Sequence, residues 1–318
     1  MTSFEYVKKP GTPFHDRHVT KAEKIFVPYE ETHRQQQKVG LIGAPLSKSS
    51  ISHSGAAFAP STIRRMFQAY TNYSVEDARN LPIESVVDYG DIVMHATDIL
   101  ESQKRIRESI EEILQQNQVE QLFILGGDHS ISYPAISAFS MSKTVGVIQF
   151  DAHHDLRNLE DGGPTNGTPF RSLIENKRIQ GEHLIQIGIR DFMNSEAYSK
   201  YAKEQGITVF TMKDVQDHSI EKIVQDSMSY LEEKKVDLIY VSVDMDVLDQ
   251  AFAPGCPAIG PGGMDSHSLI KAFELLASNP LVKAMDIVEI DPTIDFRDMT
   301  SKIAAWLILS FLKRSFMI

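Results

Sequence analysis

The stretch VGVIQFDAHHD (145–155) carries the reading of this chain in small. Its first six residues are apolar apart from one glutamine, and four of the next five are Asp or His. A strand apolar along nearly its whole length needs cover on both faces, as in parallel sheets. Residues just beyond such a strand stand at its carboxyl end, where open α/β sheets bind their ligands. The same construction recurs in QLFILGGDHS (121–130) and in LIYVSVDMDVLD (238–249).

Outward from these three runs, short apolar strand patterns occupy 39–42, 85–89, 121–125, 145–150, 183–188, 208–210, 238–243 and 282–290. Between them lie helical patterns at 60–69, 98–116, 131–139, 195–204, 220–233 and 265–277. In the second of these, Ile99, Ile106, Ile110, Ile113 and Leu114 share one face, with Glu and Arg opposite. Strands alternating with helices predict an α/β fold: a mostly parallel sheet between two helical layers, a three-layer α/β/α arrangement. A length of 318 residues allows one or two domains. No repeat, low-complexity tract or linker divides the chain, so a single domain over 1–318 is expected. Residues 1–38 show no pattern and are expected to wrap the surface irregularly.

Acids outnumber bases 43 to 32, for a net charge of −11. That balance disfavours a nucleic-acid or anionic-membrane surface, both of which call for clustered Lys and Arg. No apolar N-terminal stretch suggests a signal peptide. The most apolar run, 303–312, is about half of what a membrane span needs and reads as a buried terminal helix. A single cysteine, Cys256, excludes an internal disulfide framework and suggests a reducing, cytoplasmic setting. It sits in the loop PGCPAIGPGG (254–263), where packing is expected rather than metal ligation.

Chemistry concentrates at three strand ends. His129 (after Asp128), then Asp151, His153 and Asp155, then Asp244 and Asp246 (with Asp249 beyond) supply two imidazoles and four carboxylates from the six ligand candidates. Alternate residues of extended chain point the same way, so Asp151, His153 and Asp155 converge, as do Asp244 and Asp246. Gathering so many carboxylates at adjacent strand ends is strongly unfavourable without cations. Four negative charges balance two divalent ions. Oxygen ligands mixed with imidazole, and no thiolate, favour manganese over structural zinc.

GGDHS (126–130), DAHHD (151–155) and SVDMDVLDQAFAPG (242–255) together resemble the three signatures of the ureohydrolase family, which includes arginases, agmatinases and formimidoylglutamases. GAAFAPSTIR (55–64) and DYGDI (88–92) fit as well. The resemblance implies an arginase-like α/β/α fold, two manganese ions per chain, and hydrolysis of a guanidine or amidine C–N bond by a metal-bridging hydroxide. It implies one ion held by His129, Asp151, Asp155 and Asp244, and another held by Asp151, His153, Asp244 and Asp246. Asp155 resembles the family's proton carrier, and Glu289, in AMDIVEIDP (284–292), the carboxylate that pairs with the substrate amidinium. A homo-oligomer is implied too.

Arginases and agmatinases typically carry Thr where this chain has His154, and a histidine shortly downstream. Here the corresponding stretch reads PTNGTPFRS (164–172), with no histidine between His154 and His183. DAHHDLR followed by NGTPFR resembles formimidoylglutamases instead, which implies cleavage of N-formimidoyl-L-glutamate to glutamate and formamide in histidine breakdown. Such a substrate brings two carboxylates, and Arg157, Asn158, Asn166 and Arg171 are the candidates to hold them. Agmatinase or another guanidino-acid hydrolase is the alternative within the class, and a non-catalytic metal-binding subunit the alternative outside it. A Rossmann-type dinucleotide binder is disfavoured, because no G-x-G-x-x-G follows the first strand. His154 points away from the metals by alternation, so packing is its expected role. His15 and His18 are expected to be solvated.

Overall fold

Among the described residues, nine strands pair side by side in parallel: β1 (Phe26–Pro28), β2 (Val39–Ala44), β3 (Val86–Asp91), β4 (Gln121–Gly126), β5 (Val145–Phe150), β6 (Leu184–Ile189), β7 (Thr208–Thr211), β8 (Leu238–Asp244) and β9 (Val282–Val288). Their spatial order is β1-β3-β2-β4-β9-β8-β5-β6-β7. This is a computed structural model, and it describes residues 7, 16–31, 38–52, 54–116 and 119–317. Nine α-helices of the described residues connect and cover the sheet: α1 (Ala59–Met66), α2 (Ile99–Gln116), α3 (Ser132–Phe139), α4 (Pro169–Glu175), α5 (Glu196–Glu204), α6 (Met212–Asp217), α7 (Ile220–Glu233), α8 (Ser266–Leu276) and α9 (Met299–Ser315).

Strand alternation sorts the core into two layers. Leu41, Phe123, Ile148, Val241 and Ile287 pack on one face with α1, α7, α8 and α9. Ile42, Ile124, Val147, Tyr240 and Ala284 pack on the other with α2, α3 and α4. Three-layer α/β/α packing is therefore the observed architecture. It explains why β2, β4, β5, β6 and β8 are buried along their entire length. On α2 the buried stripe is Ser102, Gln103, Ile106, Ile110 and Ile113, close to the stripe expected from the spacing.

Three parts of the expectation change. Within the segment read as irregular, Ala22 and Ile25 are fully buried and Phe26–Pro28 joins the sheet edge beside β3. Three residues with one proline make too short a run to betray a strand. Residues 1–6, 8–15 and 32–37 of that segment, His15 among them, lie outside the described residues, whereas His18 is exposed as expected. The helices α4 and α6 escape periodicity because each spans under two turns or so. Yet each carries a start signal, Pro169 at the first turn of α4 and a Thr211–Asp214 capping box on α6. The terminal helix extends beyond 303–312 to seventeen residues, and no helix among the described residues is long and apolar enough to cross a membrane.

Strand order is the feature that assembles the polar strand ends. β8 and β9 are the last strands in the chain, yet they insert between β4 and β5. Register then aligns four ends: Phe150 lies opposite Val243, Asp244 opposite Val288, and Leu125 opposite Ile287. Asp244 at the end of β8, Asp151 and Glu289 just past β5 and β9, and His129 shortly beyond β4 therefore gather at the carboxyl edge of the sheet.

Candidate metal centre and its surroundings

Each ligand candidate leaves its strand through a tight local turn. Beyond β4 the chain folds so closely over Leu46 that a Cβ at Gly127 would stand 1.8 Å from the Leu46 carbonyl oxygen, so only glycine fits. Asp128 then caps the following turn, accepting the Ser130 N–H at 3.0 Å, and sets His129 over the sheet end. Asp151 accepts the His153 N–H at 2.6 Å, and Asp244 accepts the Asp246 N–H at 2.9 Å. These turns place alternate side chains on one side of each strand end.

The six residues meet as two overlapping groups, His129 with Asp151, Asp155 and Asp244, and Asp151 with His153 and Asp246. His129 Nδ1 stands 2.9 Å from Asp155 Oδ2, 3.2 Å from Asp151 Oδ2 and 3.3 Å from Asp244 Oδ2. His153 Nδ1 is 2.9 Å from Asp246 Oδ2 and 3.5 Å from Asp151 Oδ1. Asp151 thus turns one oxygen to each imidazole. Asp244 belongs to the first group only, and its Oδ1 accepts the Asp246 N–H.

A test of whether a cation fits comes from His129. Its Nδ1 is buried and has no aligned hydrogen-bond partner among the described residues, despite three carboxylate oxygens around it. Its Nε2 lies 2.9 Å from Ser242 Oγ, and the Ser242 hydroxyl donates to Asp286 Oδ1 at 2.8 Å. That chain puts one imidazole hydrogen on Nε2, so Nδ1 is the nitrogen left to face the carboxylates and to bind either a proton or a cation. Such support of the far ring nitrogen is the usual arrangement behind a metal-bound histidine. Asp286 is itself held by Ser132 Oγ and Tyr240 OH, both at 2.7 Å. The donor set fits a divalent ion.

Electrostatics agree from the carboxylates' side. Burial, then the charges of Asp246 and Asp151, pushes Asp244 well above the usual carboxylate range. Asp155 is pushed up to about 6 by burial and by the charge of Asp151. Burial would raise Asp151 too, but the imidazoles of His129 and His153 more than reverse it and hold it low. Burial would lower both imidazoles, and the surrounding carboxylates push His129 up and His153 up to about 12. Protons are doing here, in part, what cations do better.

Glu289 sits beside this cluster with a left-handed backbone, φ 59°, as Asp155 does at 51°. Two non-glycine residues in that region at one site mark a strained, over-determined geometry. The Glu289 carboxylate is buried. Its Oε1 accepts the His129 N–H at 2.8 Å and the Asn166 side-chain N–H at 3.1 Å. Its other oxygen takes no hydrogen bond among the described residues. Burial, then the charge of Asp128, pushes it up to about 8.

The remaining candidates separate. Asn166 joins the site: it contacts Glu289 and, through Oδ1, accepts the Ile51 N–H at 3.0 Å. Arg157 is exposed, lies against Gly167, and donates its backbone N–H to the Gly167 carbonyl at 2.9 Å. Arg171 is committed elsewhere, paired with Glu175 one turn along α4 and stacked 3.6 Å over the Tyr201 ring. Asn158 closes its own turn, accepting the Glu160 and Asp161 N–H groups and donating to Asp161 at 2.8 Å. Asp249 staples the loop after β8 by accepting the N–H groups of Ala251, Gly262 and Gly263. Cys256 is buried, and that burial pushes its thiol up. His154 packs, as alternation suggests, with burial lowering its pKa.

Sequence reasoning missed Ser242, Asp286, Gln149 and Gln186. Their signal is a polar residue inside a strand covered on both faces, which needs a partner to be tolerated. All four stand in such strands with no side-chain exposure.

Known proteins resemble this chain in sequence and fold. The arginase family matches residues 37–313 of the chain. A formimidoylglutamase of Halalkalibacterium halodurans is 57% identical over 314 residues, covering 98% of each chain. A formimidoylglutamase of Bacillus subtilis is 46% identical, again covering 98% of each. The crystal structure of formimidoylglutamase from Bacillus subtilis superposes with a TM-score of 0.92 at 47% identity, covering 97% of this chain and 96% of that one.

Proposed function

This chain belongs to the arginase family, and from that premise we propose that it hydrolyses N-formimidoyl-L-glutamate to L-glutamate and formamide, as a manganese enzyme of histidine breakdown. The observation that carries the reading is the contact between Asn166 and Glu289. It docks the 164–172 loop, where the chain departs from arginases and agmatinases, onto the carboxylate that faces the amidine.

Two manganese ions would be held by the six-residue cluster, with His129, Asp151, Asp155 and Asp244 around one and Asp151, His153 and Asp246 around the other. Asp244 Oδ1 keeps a second lone pair that can serve the second ion as well. Bound there, the metals supply hydroxide near neutral pH by lowering the pKa of water. The chain's own residues do the rest. Glu289 offers its free oxygen to the planar amidinium N–C–N group, whose positive charge favours the ionised carboxylate. His129 N–H and Asn166 hold that carboxylate still. Asp155 is the carboxylate this reading assigns to take a proton from the attacking water and return it to the departing amine. Water's oxygen ends on formamide, and the amine leaves as glutamate.

Arg157 is the cation this reading assigns to the substrate's carboxylates, since Arg171 is already paired. The protein is read as one domain over 1–318, a cytoplasmic homo-oligomer. A panel of N-formimidoyl-L-glutamate, arginine, agmatine and guanidinobutyrate, with added manganese, tests the proposal. Turnover should be confined to the formimidoyl compound. Faster turnover of a guanidine would overturn the substrate, and no turnover with metal bound would favour a binding subunit.

A further inference from the structure

Behind Asp151 runs a buried chain of side chains that neither metal holding nor amidine recognition uses. Gln149, two residues earlier on β5, donates from Nε2 to Asp151 Oδ2 at 2.6 Å and to the His153 carbonyl at 3.2 Å. Its Oε1 accepts from Gln186 Nε2 at 2.7 Å, and Gln186 lies directly opposite on β6. Gln186 Nε2 also donates to the His154 carbonyl at 2.8 Å. Gln186 Oε1 is 2.6 Å from His154 Nδ1, and His154 Nε2 is 3.1 Å from Ser199 Oγ on α5. Both glutamines are fully buried, and His154 is nearly so.

The direction of every bond is set from the carboxylate outward. Gln149 faces two acceptors, Asp151 Oδ2 and the His153 carbonyl, so its amide nitrogen must point at them. Its oxygen therefore faces Gln186, which must answer with nitrogen. Both amide hydrogens of Gln186 are then used, and its oxygen is left to accept from His154. His154 must carry its hydrogen on Nδ1, with Nε2 accepting from Ser199. No alternative flip satisfies the buried groups. Bonds aligned head to tail also polarise one another, which strengthens the last donor, the one on Asp151.

We infer that Gln149 and Gln186, latched by His154, are positioning residues that hold the Asp151 carboxylate in the orientation that serves both metal positions. The inference rests on the manganese reading above. Asp151 Oδ1 is already tied to the His153 N–H, so the Gln149 bond fixes the second oxygen and with it the carboxylate plane. It also accounts for histidine at 154: a threonine is too short to place a donor on Gln186. On this view the departure in the second motif serves the metal centre, and the substrate's choice is made at Asn166 and Arg157.

The test is titration of metal-stripped protein with Mn2+, following the free ion by electron paramagnetic resonance, alongside thermal unfolding of each metal-free protein. Gln149→Met, which keeps length and loses the donor, should weaken Mn2+ binding about 10- to 100-fold, the range for removing such a supporting partner. Gln186→Met and His154→Phe should weaken it less. The Gln149→Met/Gln186→Met double variant should bind no worse than Gln149→Met alone, because Gln186 acts through Gln149. Unchanged affinity in Gln149→Met, or losses that simply multiply in the double variant, would overturn the inference. Should Gln149→Met not fold, the other two decide. Weaker binding at an unchanged unfolding midpoint supports positioning, and a lowered midpoint at unchanged affinity makes the chain mere packing. If the unaltered protein takes up no Mn2+, it is the manganese reading that fails.

Discussion

Replacing Glu289 with Gln removes one charged acceptor while keeping the side chain's shape. The Glu289 Oε1 accepts two hydrogen bonds, from His129 N–H and from Asn166, and an amide oxygen can accept both. The left-handed backbone at this position is the same burden for either side chain. What disappears is the charged acceptor that the proposal assigns to the amidinium, because the amide nitrogen standing in its place can only donate. Hydrogen bonds to charged groups contribute about 1.5–3 kcal/mol where neutral ones contribute about half. At about 1.36 kcal/mol per decade, losing such an interaction in the transition state lowers kcat/KM by roughly 10- to 150-fold. Manganese content should not move, because Glu289 is outside both metal groups. Stability of the metal-free protein should hold or rise, since a buried carboxylate near Asp128 is removed. Steady-state kinetics on N-formimidoyl-L-glutamate, with elemental analysis of the same samples, measures both quantities. Loss of manganese together with activity would place Glu289 among the ligands and refute the reasoning. An unchanged kcat/KM would show that the amidinium is held elsewhere.

Asp244→Asn should lose at least one manganese per chain and nearly all turnover, and full metal content with near-normal rate would remove Asp244 from the ligand set. Manganese binding should strengthen as pH rises and release protons, because carboxylates push His153 up to about 12 and raise His129 despite burial, and a ligating imidazole must be neutral. Calorimetry in buffers of different ionisation enthalpy counts those protons. For the metal-free protein the sign reverses: raised imidazole pKa values stabilise the fold fully below about pH 6.5 and that stabilisation fades as pH climbs through the folded values. Arg157→Lys should raise KM for N-formimidoyl-L-glutamate without loss of metal, since Lys lacks the planar fork that grips a carboxylate. Arg171→Lys, at a residue paired with Glu175 and Tyr201, should leave KM alone.

Much of this protein is legible in one dimension. The apolar runs at 121–125, 145–150 and 238–243 become strands because an uninterrupted apolar segment has to be covered on both faces, and neighbouring amphipathic stretches supply the cover. The six ligand candidates are equally plain, since Asp and His at the end of such a strand are costly without a cation. Alternation alone also turns His154 away from Asp151 and His153. Short elements such as Phe26–Pro28 and α4 are opaque because they carry too few residues for a period to show.

Other matters depend on pairing between distant segments. The insertion of β8 and β9 between β4 and β5 decides that Glu289 reaches His129 and that Asp244 stands beside Asp151. Nothing local dictates strand order, which comes from how two helical layers pack as a whole. Which of the two loop arginines is paired among the described residues is likewise decided in three dimensions. Arg157 and Arg171 look alike in sequence, but only one of them finds a glutamate one helical turn away and a tyrosine ring beneath it. Gln149 and Gln186 are 37 residues apart in the chain, and each alone is an oddity in a buried strand. Parallel register sets them face to face, and an amide's need for partners makes them a path from His154 to Asp151. Sequence determined which groups this protein owns, because burial and alternation act on neighbours along the chain. Tertiary structure determined which of those groups meet, because hydrogen bonds and charges act across space.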